Sequence, residues 1–507
     1  MSYHFDIQTP VAVIGAGSMG AGIAQVAAQA GHPVRLYDAQ QGAADAGRTR
    51  IAADIAGAVK RGRIAAEDGD AILNRIQVVD SVGDLKGCRL AVEAIVERLD
   101  IKQSLFKQLE ATLGPDAILA TNTSSISVTA VAQALEHPGR VVGWHFFNPA
   151  TRMKLVEIIA GVRTEPEVVR AMHALSAAWG KTSVDAPNAP GFIVNRVARP
   201  LYAEGLRLLA ERIADAPTID RLMREAGGFA MGPFELMDLI GVEVNLSVTE
   251  SVFQATAYDP RYAPHLIQQE LVRSGRYGRK SGHGFYDYSA DAAAPQALPV
   301  RPAANAPVLR HADALGLLQP LVARLQGAGV KLANDASLPA DTLAMGDVRL
   351  AVTDGRTATE VASEAFGNTV VLLDLARDYA TTKVIGAAAS EGANAQLAGL
   401  AAALAPAGIE VLAMNDVAGL VVMRTVCCLA NEAADVVTWS GAKPADIDTA
   451  MRLGTAYPQG PLAWADAIGT SRVALTLANL LKHYGDVRYR RSPELSKKHF
   501  SKGTFHD

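Results

Sequence analysis

The chain has 507 residues, too many for one hydrophobic core, so about three or four domains are expected. With 49% hydrophobic and 20% charged residues it has a globular composition. A net charge of −4 over this length excludes a nucleic-acid or anionic-membrane role.

No apolar run reaches the length of a membrane span; the longest, Val417–Ala430, is broken by Arg424. The first residues, MSYHFDIQTP, lack the basic-then-apolar pattern of a secretory signal. Cys88, Cys427 and Cys428 sit among apolar residues without metal spacing. Reduced thiols in a cytoplasmic protein are the expected state, and no metal site is expected.

Val11–Ile14 reads as a short strand running into Gly15-Ala16-Gly17-Ser18-Met19-Gly20, and a helical pattern follows to about Ala30. This is the dinucleotide fingerprint in the context it requires. One glycine makes the tight turn, one admits the pyrophosphate, and one lets helix and strand pack, with the helix N-terminus facing the phosphates. A second strand, Val34–Tyr37, ends in Asp38, about 20 residues on, where a carboxylate takes the ribose hydroxyls of NAD and repels the extra phosphate of NADP. Asp45–Lys60 is helical and ends in Lys60, Arg61 and Arg63. These cations suit either the helix dipole or an anionic nucleotide tail. Ile76–Val79 and Arg89–Glu93 are the next strands, and VEAIVE leads into a helix carrying Lys102. Ile118–Thr121 ends in Asn122-Thr123-Ser124-Ser125. Serines at the carboxyl end of a strand suit ligand binding, capping of the next helix, or one role each.

Val141–Ile159 carries His145 at the end of one apolar run and Glu157 inside the next. Asn148-Pro149-Ala150-Thr151 between them is turn chemistry. A hairpin return would set imidazole beside carboxylate. That is either a buried structural pair or a base whose tautomer is set by its partner.

The Pro and Gly cluster in VDAPNAPGFIVN marks a domain boundary. The periodicity predicts one helix from Phe192, with Asn195 near its start and Arg199 one turn later on the same face. Ser289–Pro307 reads as a linker, and residues 308–410 as α/β without a glycine-rich loop. Gly419–Gly469 repeats Gly191–Gly241 without gaps: Arg424 matches Arg196, Glu432 matches Glu204, Asp448 matches Asp220 and Asp466 matches Asp238, whereas Met423 falls on Asn195. The helical module is therefore duplicated, with an active half and a structural half.

GAGSMGAGIAQ, VEAIVE, TNTSS, HFFNP, MKLVEII and PGFIVNR, in this order, resemble the L-3-hydroxyacyl-CoA dehydrogenases over about residues 11–290. The two-copy layout resembles the long bacterial members of phenylacetate catabolism, which act on 3-hydroxyadipyl-CoA. The resemblance implies an NAD-dependent enzyme with this α/β organisation: a Rossmann-type NAD-binding domain, 1–188; a helical domain, 189–288; a linker, 289–307; a reduced Rossmann-like domain, 308–410; and a second helical domain, 411–507. It makes His145, Glu157, Ser124 and Asn195 the catalytic residues. It makes Gly15 to Gly20, Asp38, Glu97, Lys102, Asn148 and Lys280 cofactor contacts. Arg61, Ser124 and Asn195 would bind the substrate; Asp54 departs from what a CoA phosphate needs. Arg199 is the candidate for a second acyl carboxylate, with an ion pair, for example to Glu204, as the alternative; Arg152 is a weaker candidate. The two helical copies would form an intramolecular pseudo-dimer, and oligomers of the full chain remain compatible with that. Other readings are a 3-hydroxybutyryl-CoA or general β-oxidation enzyme, a free hydroxy-acid dehydrogenase, and a non-catalytic NAD-binding protein.

Overall fold

The computed structural model describes residues 3, 5–293, 295–364 and 369–506. They form two compact units, Met1–Arg196 with Thr449–Thr455, and Val197–Asp448 with Ala456–Asp507.

The first unit is built on an eight-stranded sheet. Its strands are β1 (Val11–Ile14), β2 (Val34–Tyr37), β3 (Ile76–Val78), β4 (Leu90–Glu93), β5 (Ile118–Thr121), β6 (Val141–Phe146), β7 (Leu155–Ala160) and β8 (Thr182–Ala186), in spatial order β3-β2-β1-β4-β5-β6-β7-β8. β1, β4, β5 and β6 are buried along their whole length. Their unbroken apolar runs are what a sheet covered by helices on both faces demands. All neighbours pair in parallel except β6 and β7, which are antiparallel with His145 opposite Glu157. The strand order reverses between β1 and β4, so their carboxyl ends open a crevice, the usual ligand position in such sheets.

The second unit holds a seven-stranded sheet: β9 (Leu309–His311), β10 (Leu332–Asn334), β11 (Thr342–Met345), β12 (Val348–Val352), β13 (Val370–Leu373), β14 (Val384–Ala389) and β15 (Glu410–Ala413), in order β10-β9-β11-β12-β13-β14-β15. β12 to β15 repeat β5 to β8 in order and direction: parallel, antiparallel, parallel. Leu373 pairs with Ala387 as Trp144 pairs with Ile158. One residue further, Asp374 stands where His145 stands, and its N–H bonds Gly386, at the place of Glu157. The expected reduced copy is therefore present, with the histidine–glutamate pair replaced by an acid and a glycine.

The duplicated helical module repeats in its hydrogen bonds. Asp220 accepts from the N–H groups of Phe234 and Glu235, and Asp448 from those of Leu462 and Ala463. A Cβ on Gly232 would lie 2.2 Å from Asp220, and one on Gly460 2.0 Å from Asp448, so both copies require glycine there. Glu204 of the first copy accepts from Arg424 at 2.7 Å and Tyr489 at 3.1 Å in the second. Glu432 of the second accepts from Arg261 at 3.0 Å and from Tyr262 in the first. Reciprocal contacts of this kind are what a two-fold interface produces.

The single helix expected from Phe192 is divided into Val194–Val197 and Arg199–Ala210. Pro200 has no N–H to donate to Arg196, so the ladder breaks. Asn195 and Arg199 therefore do not share one face of an unbroken helix, and they fall in different units.

Candidate active site

The glycine loop follows β1. Gly15 has φ +96°, and a Cβ there would sit 2.4 Å from the Ala94 carbonyl oxygen. A Cβ on Gly20 would overlap the Gly15 carbonyl, whereas one on Gly17 would meet nothing within 4 Å. Gly15 and Gly20 thus close the turn, and Gly17 leaves an open approach for a phosphate at the N-terminus of the helix Ser18–Gln29. Asp38 accepts from the N–H groups of Ala16 at 2.7 Å and Gln40 at 2.9 Å, which aims its carboxylate at the rim of the crevice. A cavity of about 690 Å³ runs from Gly15 and Gly17 past Tyr37 and Asp38 to Ile95, Ile101 and Leu105. An open glycine cradle, an acid at the end of β2 and an apolar slot fit NAD. Asp38→Gly is expected to lower kcat/KM for NAD about 10–100-fold, the effect of one charge-assisted hydrogen bond, and to weaken discrimination against NADP; steady-state rates with both cofactors check it.

Deeper in the crevice, Glu93 is fully buried. It accepts from Lys102 at 2.6 Å, from Thr121 at 2.7 Å and from the Ile95 N–H at 2.8 Å. Lys102 also pairs with Glu97 at 3.2 Å. Glu97 holds the loop after β5, accepting from the Ser124 N–H at 2.9 Å, the Ser125 N–H at 3.2 Å and the Thr123 hydroxyl. Burial would push the Glu97 carboxyl up; Lys102, Thr123 and Ser124 outweigh it and hold it below its ordinary value. Neither Ser124 nor Ser125 caps the following helix, as the sequence allowed. Ser127 does, accepting from the Ala130 N–H at 3.3 Å. Glu93 was not singled out in the sequence; its signal was an acid directly after the apolar run Leu90–Val92.

Across the antiparallel pair, His145 Nδ1 lies 2.7 Å from Glu157 Oε2. Glu157 has no exposed surface and His145 is 6% exposed. The other carboxylate oxygen, Oε1, accepts from the N–H groups of Ile193 and Val194, both at 3.0 Å. Gly191 and Phe192 both have positive φ, +74° and +48°, and this turn aims those two N–H groups at the acid. For a phenylalanine that conformation costs about 1–3 kcal/mol. The repeat retains it: Gly419 and Leu420 have φ +80° and +54°, and Asp374 accepts from Val421, Val422 and Met423. Capping this turn is thus kept in the copy, but by an acid that stands at the histidine's place.

With Nδ1–H donated to Glu157, neutral His145 presents the lone pair of Nε2, a base oriented by its partner. Phe147 and Phe192 flank the ring at 4.6 and 5.7 Å. Asn122 accepts from the Phe146 N–H at 2.8 Å, tying the TNTSS loop to the histidine strand. The first unit therefore contains Ser124, His145, Glu157 and Asn195 as well as the glycine loop, Asp38, Glu97 and Lys102. Asn148 is exposed at the turn after β6, and Arg152 is exposed beyond it. Arg61 is exposed at the end of the helix Ala43–Lys60. Asp54 accepts from Gln25 at 2.9 Å, which explains an acid where a CoA phosphate would want none. In the second unit, Lys280 pairs with Glu243. Arg199 is 5% exposed, donates to Thr249 at 3.0 Å and lies over the Tyr202 ring at 4.8 Å.

The NAD-binding-domain model of the 3-hydroxyacyl-CoA dehydrogenases matches residues 10–189, and their C-terminal-domain model matches residues 191–288 and 419–507. A reduced Rossmann-fold domain model of 3-hydroxybutyryl-CoA dehydrogenase matches residues 350–417. The 3-hydroxyadipyl-CoA dehydrogenase of Escherichia coli (strain K12) is 41% identical over 96% of this chain and 96% of its own. A probable 3-hydroxybutyryl-CoA dehydrogenase of Bacillus subtilis is 38% identical over 55% of this chain and 96% of its own. A crystal structure of 3-hydroxybutyryl-CoA dehydrogenase from E. coli K12 superposes with a TM-score of 0.89 at 40% identity, covering 98% of this chain and 99% of its own. Glycine cradle, buried histidine–glutamate pair and matching relatives agree: the chain belongs to the 3-hydroxyacyl-CoA dehydrogenase family, NAD-dependent oxidoreductases acting on a CH–OH group.

Proposed function

We propose that the chain oxidises the 3-hydroxyl of 3-hydroxyadipyl-CoA, an L-3-hydroxyacyl-CoA with a second carboxylate, in phenylacetate degradation. NAD, when bound, supplies the hydride acceptor. His145 takes the hydroxyl proton at Nε2, Glu157 stabilises the imidazolium, and Ser124 and Asn195 hold the substrate oxygen. The observation that carries this reading is the buried 2.7 Å contact between His145 and Glu157. The exposed cations Lys60, Arg61 and Arg63 are the proposed contacts for the CoA nucleotide, and Glu97, Lys102, Asn148 and Lys280 join Asp38 as proposed cofactor contacts. No helix of the described residues is long and apolar enough to cross a membrane. Free thiols at all three cysteines fit the cytoplasmic location proposed. The reciprocal Glu204 and Glu432 contacts support an intramolecular pseudo-dimer of the helical domains.

The adipyl ester is favoured by the name of the relative matched along nearly the whole chain. The 3-hydroxybutyryl ester is the second reading, favoured by the name of the solved structure of equal coverage. Arg199 is the proposed receptor of the distal carboxylate. Burial holds its guanidinium below its ordinary pKa, against Tyr202 and Tyr457, and a carboxylate brought to it would act in the opposite direction to burial. The cavity beside it is about 10 Å³, room for a water, so Arg199 must turn from Thr249 to reach a substrate. Arg199→Met is expected to lower kcat/KM for the adipyl ester about 10–100-fold relative to the butyryl ester, the size of a charge-assisted bond. An unchanged ratio would make Arg199 a packing residue, and a wild-type preference for the butyryl ester would favour the second reading.

A further inference from the structure

We propose that the second helical domain, which lacks the catalytic set, supplies a positioning element to the active site: the turn of helix ending at Thr455, with Gly454 as its contact point. The inference rests on the roles proposed above for Glu157 and Asn195.

Thr449–Thr455 groups with the first unit, although the remainder of its helix, Pro444–Thr455, groups with the second. Within the first unit, a Cβ on Gly454 would lie 2.8 Å from Leu155 Cδ2 and 3.0 Å from Val194 Cγ2. Leu155, Ala450 and Met451 have no exposed surface and Val194 has 3%, while Gly454 itself is half-buried. Both residues that Gly454 meets lead directly to the site. Leu155 is two residues before Glu157 on β7 and so points to the same face. Val194 donates its N–H to Glu157 at 3.0 Å and precedes Asn195. A side chain at 454 would therefore push on the strand that carries the acid and on the turn that caps it.

The reciprocal element lies in the second unit. At the repeat offset, Leu222 and Ala226 of the first helical domain correspond to Ala450 and Gly454. Leu222 packs on β14 at Gly386, the position matched to Glu157, where an added Cβ would lie 3.0 Å from Leu222 Cδ2. The Ala226 carbonyl accepts from the Arg377 N–H at 2.8 Å. In each case this segment of one helical domain seats on the strand pair that carries, or has lost, the catalytic pair. The copy seated on the empty strand pair has alanine at this place; the copy seated beside Glu157 has glycine. Glycine on the helix side of the contact thus occurs beside Glu157, whereas in the other half the glycine, Gly386, is on the strand side.

The test uses the full chain with Gly454→Val, Gly454→Ala, and Gly454→Val combined with Leu155→Ala. Valine must displace Val194 and Leu155, and small misplacements of this order cost about 10²-fold in rate. Gly454→Val is expected to lower kcat about 10–100-fold, with NADH affinity within about twofold of wild type, because the cradle at Gly17 and Asp38 is not touched. Removing the Leu155 side chain makes room, so the double variant should regain about tenfold. Gly454→Ala, which needs shifts of only tenths of an ångström, should move the rising limb of the kcat/KM pH profile to higher pH. Lengthened N–H contacts leave the Glu157 charge less compensated, and that charge stabilises imidazolium. Wild-type kcat in Gly454→Val overturns the inference. So does a loss matched by weaker NADH binding and not relieved in the double variant. If Gly454→Val does not fold, an unmoved pH profile in Gly454→Ala overturns it. Asn195→Ala run alongside separates the two levels: full activity there removes the underlying reading, whereas lost activity there with none lost in Gly454→Val removes only this inference.

Discussion

Replacing His145 with alanine is expected to lower turnover by about 10²–10⁴-fold, the usual contribution of a positioned general base, while NADH binds as in wild type. The asymmetry follows from placement. His145 lies at the end of β6, hydrogen-bonded through Nδ1 to a fully buried carboxylate, whereas the proposed cofactor cradle lies in the loop after β1 and at Asp38 after β2. Alanine leaves the Glu157 contacts to Ile193 and Val194 in place, so the turn that carries Asn195 should hold. Initial rates of NADH formation and a fluorescence titration with NADH separate the two effects. Unchanged turnover would remove His145 from the chemistry; lost NADH binding would show that the substitution disturbed the sheet.

The largest expected effect on stability is at Glu204. This carboxylate is 2% exposed and accepts from Arg424, Arg207 and Tyr489. Burial alone would raise its pKa, but Arg207 and Arg424 outweigh burial and hold it at about 2. Glu204→Gln leaves the buried cations short of a counter-charge, which costs about 3–5 kcal/mol. Denaturant unfolding at neutral pH should show it, and the loss should appear in the helical domains first. The sign with pH follows from the depressed pKa. Stabilisation by Glu204 is complete above the ordinary value of 4.5 and is lost as pH falls through about 2. Wild type should therefore lose stability across that window more steeply than the glutamine variant, and the two should converge at the acid end. Parallel curves would mean that Glu204 does not titrate in the folded chain as its partners require.

The sequence announces both parts of the candidate site. The glycine loop with Asp38, and the His145–Glu157 pair, depend on contacts within a strand–turn–helix and within one hairpin. Local spacing fixes both, because glycine positions dictate backbone approach and the period of a strand dictates which side chains meet across a ladder. The duplication was equally legible, since Gly419–Gly469 keeps Gly191, Gly232 and Gly241 and the acids Asp220 and Asp238 at one constant offset.

What local pattern could not reach were partners far apart in the chain. Pro200 interrupts a helix whose apolar periodicity runs on unbroken, because periodicity records burial and not the missing N–H. Ser127, not its neighbours, caps the helix after β5, because Glu97 has already taken the N–H groups and hydroxyls of the TNTSS loop. Asp374 in the place of His145 shows only once the strands are paired, since nothing in VVLLDLA resembles VVGWHFF beyond its apolar run. By itself, then, the sequence determined the family chemistry and the repeat, both written in short-range spacing. Only the tertiary structure decided which buried charges neutralise one another, which acid stands in place of His145 in the second copy, and which distant helix turn, at Gly454, lies against the strand that carries Glu157. Those depend on long-range packing and desolvation, which no local pattern encodes.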